Sequence, residues 1–194
     1  MHSIIWPAGY FPGTTDNFVS NEVISANANL DEVWRHLSTP SLWPSYYHNA
    51  SQPFIYEAPE QADVALTAGA RFRFVTFGFD VEGEVTELTP PGDGQPGRIA
   101  WHGWVEGDEE QRLDVHHAWI VETFSHGRVR VLTQETQNGV PAQQLAAEQP
   151  NPMLNAHQAW QLAGAVTSVI RAISISPRSS CVSISVSSIG SIRS

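Results

Sequence analysis

Apolar residues recur along this chain at two spacings, and each spacing predicts a different kind of element. In NLDEVWRHLS, Leu30, Val33, Trp34 and Leu37 lie three or four positions apart, which predicts an amphipathic helix. Asn29 suits its N-cap, Asp31 and Glu32 suit the positive end, and Pro40 ends it. Before it, FVSNEVISANAN sets Phe18, Val23 and Ile24 among polar residues and predicts a strand. SLWPSYYHNA predicts a second short helix broken by Pro44, carrying Trp43, Tyr46, Tyr47 and His48. ARFRFVTF and DVEGEVTEL predict two strands joined by a turn or bulge near Gly78. Across that joint the inward face is expected to pass from Phe72 and Phe74 to Val81 and Val85. PPGDGQPG is a loop by composition, and RIAWHGWVEG a further strand with Ile99 and Trp101 on one face and His102 and Trp104 on the other.

The next two strands, LDVHHAWIVETF and RVRVLTQETQNG, form a hairpin across Ser125, His126 and Gly127. A three-residue loop with Gly127 left-handed pairs Phe124 with Arg128. Counting outward then sets Val121 opposite Val131, Trp119 opposite Thr133 and His117 opposite Glu135. These pairs share the apolar side of the pleat, while Arg128, Arg130 and Gln134 fall on the side that suits water. NPMLNAHQAW then opens a long helix whose apolar face is Met153, Ala156 and Trp160, and His157 shares that face. Its apolar stripe drifts after Gly164. An antiparallel sheet with aromatic inner residues needs cover, and this helix is the element long enough to supply it.

Composition narrows the function. With 194 residues and 41% hydrophobic content the chain can bury one substantial core. We read an N-terminal arm over residues 1–15, one domain over 16–173 and a Ser-rich low-complexity tail over 174–194, expected to be poorly ordered. The formal charge of −10, with no basic cluster, makes nucleic acid and anionic membrane surfaces poor partners. All ten basic residues are arginines, so no lysine exists to form a Schiff base. Cys181 is the only cysteine, which excludes an internal disulfide and a cysteine-based zinc site. A basic, apolar leader is missing from the start and no run of about 18 apolar residues occurs, so a cytoplasmic location is expected. Oligomeric state is not encoded in any of these features.

The chemistry centres on His117 and Glu135, with His157 above them on the helix. A partly desolvated carboxylate beside an imidazole raises its basicity and fixes one tautomer, which suits a general base. The same pair in a purely structural role satisfies two polar groups at a sheet edge. Neither HExxH nor a comparable ligand spacing is present, so no metal and no other cofactor is expected. GxSxG, GxGxxG and P-loop stretches are absent as well.

The order of elements resembles the helix-grip fold of the START and polyketide cyclase superfamily, often called SRPBCC. LDEVWRHLSTPSLWPSYY, GARFRF, VEGEVTELTPP followed by RIAWHG, and HAWIVETFSHGRVRVLTQETQNG are similar to its polyketide cyclase/dehydrase and heat-shock ATPase activator branches. The resemblance spans about residues 16–165 and implies an α+β fold: a curved antiparallel sheet wrapped around a long C-terminal helix, with two short helices after the first strand. It also implies a deep cavity between sheet and helix for a small hydrophobic or aromatic molecule. Phe72, Phe74, Trp101, Trp119, Thr133, Met153 and Trp160 would line that cavity beside His117, Glu135 and His157, with Tyr47 near its entrance. Some members of such families catalyse cyclisation, dehydration or isomerisation, and others only bind or carry.

Two functions follow. One is a cofactor-independent enzyme acting on a polyketide-like substrate, with His117 as base, Glu135 polarising it, and His157 or a tyrosine hydroxyl stabilising an enolate. The other is a non-catalytic binding or carrier protein in which the same groups orient a ligand. An interaction domain regulating another protein ranks third.

Overall fold

The computed structural model describes residues 1–59 and 63–175. In chain order it contains β1 (Asn17–Ser25), α1 (Leu30–Ser38), a 3-10 helix (Pro40–Ser45), β2 (Ser51–Ile55), β3 (Arg71–Thr76) and β4 (Phe79–Thr89). There follow β5 (Gly97–Val105), β6 (Leu113–Phe124), β7 (Arg128–Asn138), α2 (Val140–Ala147) and α3 (Pro152–Ile175). The strands form one curved antiparallel sheet in the order β1-β7-β6-β5-β4-β3-β2, and α3 packs against it beside α1. This is the helix-grip arrangement.

Local chemistry explains most of the elements. Asn29 caps α1 by accepting a hydrogen bond from the Glu32 amide at 3.0 Å, and Asn151 caps α3 by accepting from the Met153 amide at 3.0 Å. Pro40 starts the 3-10 turn and Pro44, which cannot extend an α-helix, keeps it short. Two elements were not foreseen. β2 contains Pro53 and breaks register between Ser51 and Phe54, an irregularity tolerated because it is an edge strand. α2 carries little amphipathic periodicity and is started by Pro141 in its first turn.

The joint between β3 and β4 is a two-residue turn, Phe77 and Gly78, both with positive φ, and it pairs Thr76 with Phe79. Phe74 therefore faces Val81 and Phe72 faces Gly83. The inward face thus passes from Phe72 and Phe74 to Val81 and Val85, as expected, through the tight turn and without a bulge at Gly78. Its register irregularity lies farther along, opposite β5, between Val85 and Glu87.

The β6–β7 hairpin has the predicted register: Phe124 pairs with Arg128, Trp119 with Thr133 and His117 with Glu135. Its outer side is not all left to water. Residues of the N-terminal segment lie across it: Ile4 and Trp6 pack with Ala100, Ala118, Ile120 and Leu132. Arg130 is consequently buried, with its guanidinium on Glu122 at 2.6 Å. Beyond Ile175 the Ser-rich segment lies outside the described residues. Among the described residues no helix is long and apolar enough to cross a membrane.

Candidate functional site

The inner face of the sheet and the covering helix meet in an aromatic interior. Trp101 from β5 stacks on Trp43 at 5.8 Å between centroids, and Trp160 from α3 meets Trp43 and Trp119 edge-on at 5.3 and 5.2 Å. Tyr47 stacks on Trp160 at 4.4 Å. These rings occupy most of the space that the resemblance implied would be a deep cavity, and a hollow of about 50 Å³ remains at one end. Phe74, Phe79, Val81, Trp101, Leu145 and Met153 line it, together with His117, Glu135 and Gln137.

Three ionisable side chains converge at that end, from β6, β7 and α3. His117 Nδ1 lies 3.0 Å from Glu135 Oε2, and His157 Nε2 lies 3.3 Å from the same oxygen. All three residues are at most 4% exposed. On its far side His117 Nε2 is 2.8 Å from the Thr133 hydroxyl, which is also within 3.4 Å of the Ala118 carbonyl. The carboxylate's second oxygen, Oε1, accepts from the Gln137 amide, and Asn17 in turn donates to Gln137 Oε1 at 2.7 Å. Each of the three brings one ligand-type atom within 4.8 Å of the others, a set able to hold a metal ion.

Burial sets the protonation states. It pushes the His117 imidazole down to about 4, against the upward pull of the adjacent Glu135 charge and with a smaller downward push from His157. Burial alone would raise the Glu135 carboxyl, but His117 and His157 beside it outweigh that and hold it below the usual carboxylate range. At neutral pH the site is thus an ionised carboxylate facing a neutral His117. A neutral His117 that donates Nδ1–H to Glu135 receives the Thr133 hydroxyl proton at Nε2, so both of its nitrogens are engaged. Among the described residues His157 Nδ1 is buried with no hydrogen-bond partner.

The structure thus brings His117, Glu135 and His157 together. Of the residues expected to bind a ligand, Phe74, Trp101 and Met153 reach the hollow, whereas Tyr47, Phe72, Trp119, Thr133 and Trp160 lie in the packed interior beside it. Gln137 and Asn17 were missed. The signal was present for Gln137, since period two from Glu135 puts it on the same face; Asn17 joins only through the pairing of β1 with β7.

No protein-family model matches this chain, and no curated protein does. Among solved structures, norcoclaurine synthase from Thalictrum flavum is 12% identical with a TM-score of 0.53, over 80% of this chain and 96% of that one. The di-domain ARO/CYC StfQ of the steffimycin biosynthetic pathway is 11% identical with a TM-score of 0.56, over 81% of this chain and 53% of that one. These two are likenesses of fold alone. The crystal structure of hypothetical protein jhp0584 from Helicobacter pylori matches with a TM-score of 0.81 and 45% identity, over 87% of this chain and 97% of that one. With that identity over nearly the whole of both chains, this helix-grip protein belongs to the same family as Helicobacter pylori jhp0584.

Proposed function

We propose that this protein binds a small hydrophobic or aromatic molecule at the hollow beside Trp101 and Met153, with Glu135 engaging the molecule's polar group. One observation carries the reading: a buried, ionised carboxylate flanked by imidazole lines a largely apolar recess. Binding pockets combine apolar walls with few convergent polar groups in this way. The fold likenesses support it, since one of those structures is of a synthase solved with a transition-state analogue and another of an ARO/CYC from a biosynthetic pathway. The hollow holds little more than a water molecule or two. A ring-sized ligand therefore requires Phe79, Leu145 and Met153 to part, which makes their surroundings the entry path.

The test is a titration of the purified chain with aromatic ketones and phenols, read by tryptophan fluorescence, alongside mass spectrometry of what copurifies. Saturable binding weakened by Trp101→Ala and by Glu135→Gln is expected. Absence of any saturable ligand and of any copurifying molecule overturns it.

Catalysis of a cyclisation, dehydration or isomerisation of a polyketide-like substrate is the second reading. It is favoured by His117 being neutral at neutral pH, the state a base requires. It ranks below binding because both ring nitrogens of His117 already have partners, so Thr133 must release Nε2 before a proton can be taken. Turnover lost in His117→Ala with ligand binding retained would promote it, and ligands returned unaltered would remove it.

A further inference from the structure

We infer that His117, Glu135 and His157 form a binding site for one divalent transition-metal ion of the zinc or ferrous class. This inference goes beyond small-molecule binding and does not depend on it.

The first support is the donor set. Two imidazole nitrogens and one carboxylate oxygen are the ligands that suit zinc or ferrous iron, in contrast to the all-oxygen shells of magnesium and calcium. The separations of 3.0 and 3.3 Å from Glu135 Oε2 to His117 Nδ1 and His157 Nε2 suit two edges of a coordination tetrahedron, all three donor atoms lie within 4.8 Å of one another, and the two imidazoles, parallel here, would turn to aim their lone pairs at the ion. With metal–donor bonds of about 2.0–2.1 Å such an edge is about 3.3 Å.

The second support is the shell behind the ligands. A ligating histidine donates its other N–H to an acceptor, and a ligating carboxylate is itself held by hydrogen bonds. Thr133 Oγ1 lies 2.8 Å from His117 Nε2 and 3.4 Å from the Ala118 carbonyl, so with a metal on Nδ1 the hydroxyl is placed to accept from Nε2–H and donate to the carbonyl. The Thr133 hydroxyl has a single proton. It serves either His117 Nε2 or the Ala118 carbonyl, and a metal on Nδ1, which leaves the imidazole proton on Nε2, selects the second. Glu135 is prepared in the same sense: Asn17 holds Gln137 and Gln137 holds Oε1, leaving Oε2 to face both imidazoles.

The third support is charge and access. Among the described residues the hydrogen-bond partners of Glu135 are two imidazoles and an amide, with no guanidinium. A buried anion without a fixed cationic partner is costly, and a divalent ion supplies the missing charge. On binding, His117 carries its proton on Nε2 facing Thr133 Oγ1, whereas His157 Nδ1 has no partner among the described residues, so the outer shell is built for His117 and Glu135. The small hollow reaches His117 and Glu135, which leaves one coordination position open to a water or a ligand oxygen, as in catalytic sites with three protein ligands.

The experiment uses the full chain, treated with chelator, dialysed, and titrated with cobalt(II) and with zinc(II). One equivalent of cobalt per chain with visible ligand-field bands, displaced by zinc, is expected. Glu135→Gln and His117→Ala should abolish it, and His102→Ala, a histidine paired with Asp114 on the other face, should leave it unchanged. Thr133→Val nearly conserves volume and touches no proposed ligand atom, and it should weaken cobalt affinity roughly 10–100-fold. This variant decides the question if the ligand variants fail to fold. Absence of stoichiometric uptake by the folded chain, uptake unaltered in Thr133→Val and in the ligand variants that fold, or uptake lost in His102→Ala overturns the site. Because the readout is the metal itself, its failure leaves the aromatic-ligand titration free to succeed or fail independently.

Discussion

His157 of α3 lies flat against His117 of β6, ring planes 4° apart and centroids 4.6 Å apart, and both present a nitrogen to one oxygen of Glu135. The helix is thus clasped to the sheet by a polar contact inside an aromatic interior. His157→Phe keeps a ring to stack but removes the N–H that serves the buried carboxylate. Hydrogen bonds to charged groups contribute about 1.5–3 kcal/mol, and urea unfolding of this variant should show a loss of that order. In a Glu135→Gln background the same substitution should cost less, by a coupling of at least about 0.5 kcal/mol. Strict additivity would show that the carboxylate does not hold the helix.

The same cluster makes the fold sensitive to acid. The unfolded chain protonates His117 below about pH 6.5, whereas in the folded protein burial pushes the imidazole down to about 4. Between those values the unfolded state binds more protons, so stability falls as pH falls. Across that window His117 alone removes up to about 3 kcal/mol. His116, pushed down to about 4 by burial and by the neighbouring His117 and His102, acts in the same direction. Glu135, held below the usual carboxylate range, extends the loss to lower pH. Urea midpoints measured across this range should drop steeply in the wild type and less steeply in His117→Gln. Equal slopes would remove His117 as the source.

How much of this was legible in the sequence depends on what kind of information each feature needs. The pairing of His117 with Glu135 followed from one hairpin loop and a period of two, because register in a tight antiparallel hairpin is fixed locally. The place of His157 followed from helical spacing and the need to cover an apolar face. The filled interior was not legible, since whether Trp43, Trp101, Trp119 and Trp160 leave a void is set by how rings from distant segments interlock. Burial of Arg130 was hidden for a similar reason. Its partners are the His2 carbonyl, Glu122 and Glu22, and the Pro- and Gly-rich N-terminal segment that supplies the first gives no periodic signal. The convergence of three metal-type ligands was invisible to motif spacing because they come from β6, β7 and α3.

Gly83 gives a packing test of the inward face shared by β3 and β4. A Cβ placed there would meet the Phe72 ring at 2.7 Å, so the glycine is what lets that ring lie flat across β4. Phe72 is fully buried and also packs against Trp43 and Trp101, which leaves it no free direction. Gly83→Ala should therefore destabilise by about 1–3 kcal/mol through overpacking, read by thermal or urea unfolding. A neutral substitution would mean that the aromatic layer is looser than it is drawn here.

The outer face supplies a test of a different interaction. Arg130 Nη1 donates to Glu122 Oε1 at 2.6 Å and to the His2 carbonyl at 3.1 Å, and Nη2 donates to Glu22 Oε2 at 3.1 Å. Arg130 and Glu122 are both under 9% exposed by side chain, whereas Glu22 is 39% exposed. Removing the guanidinium alone leaves Glu122 buried beside only His2, so Arg130→Ala should cost about 3–5 kcal/mol. Replacing both partners by apolar residues of similar size, Arg130→Met with Glu122→Leu, removes the desolvation cost along with the attraction and should come close to neutral. Equilibrium unfolding of the two variants separates the cases: a double variant as unstable as Arg130→Ala would show that the ion pair itself, rather than the penalty of an orphaned charge, holds the N-terminal segment on the sheet.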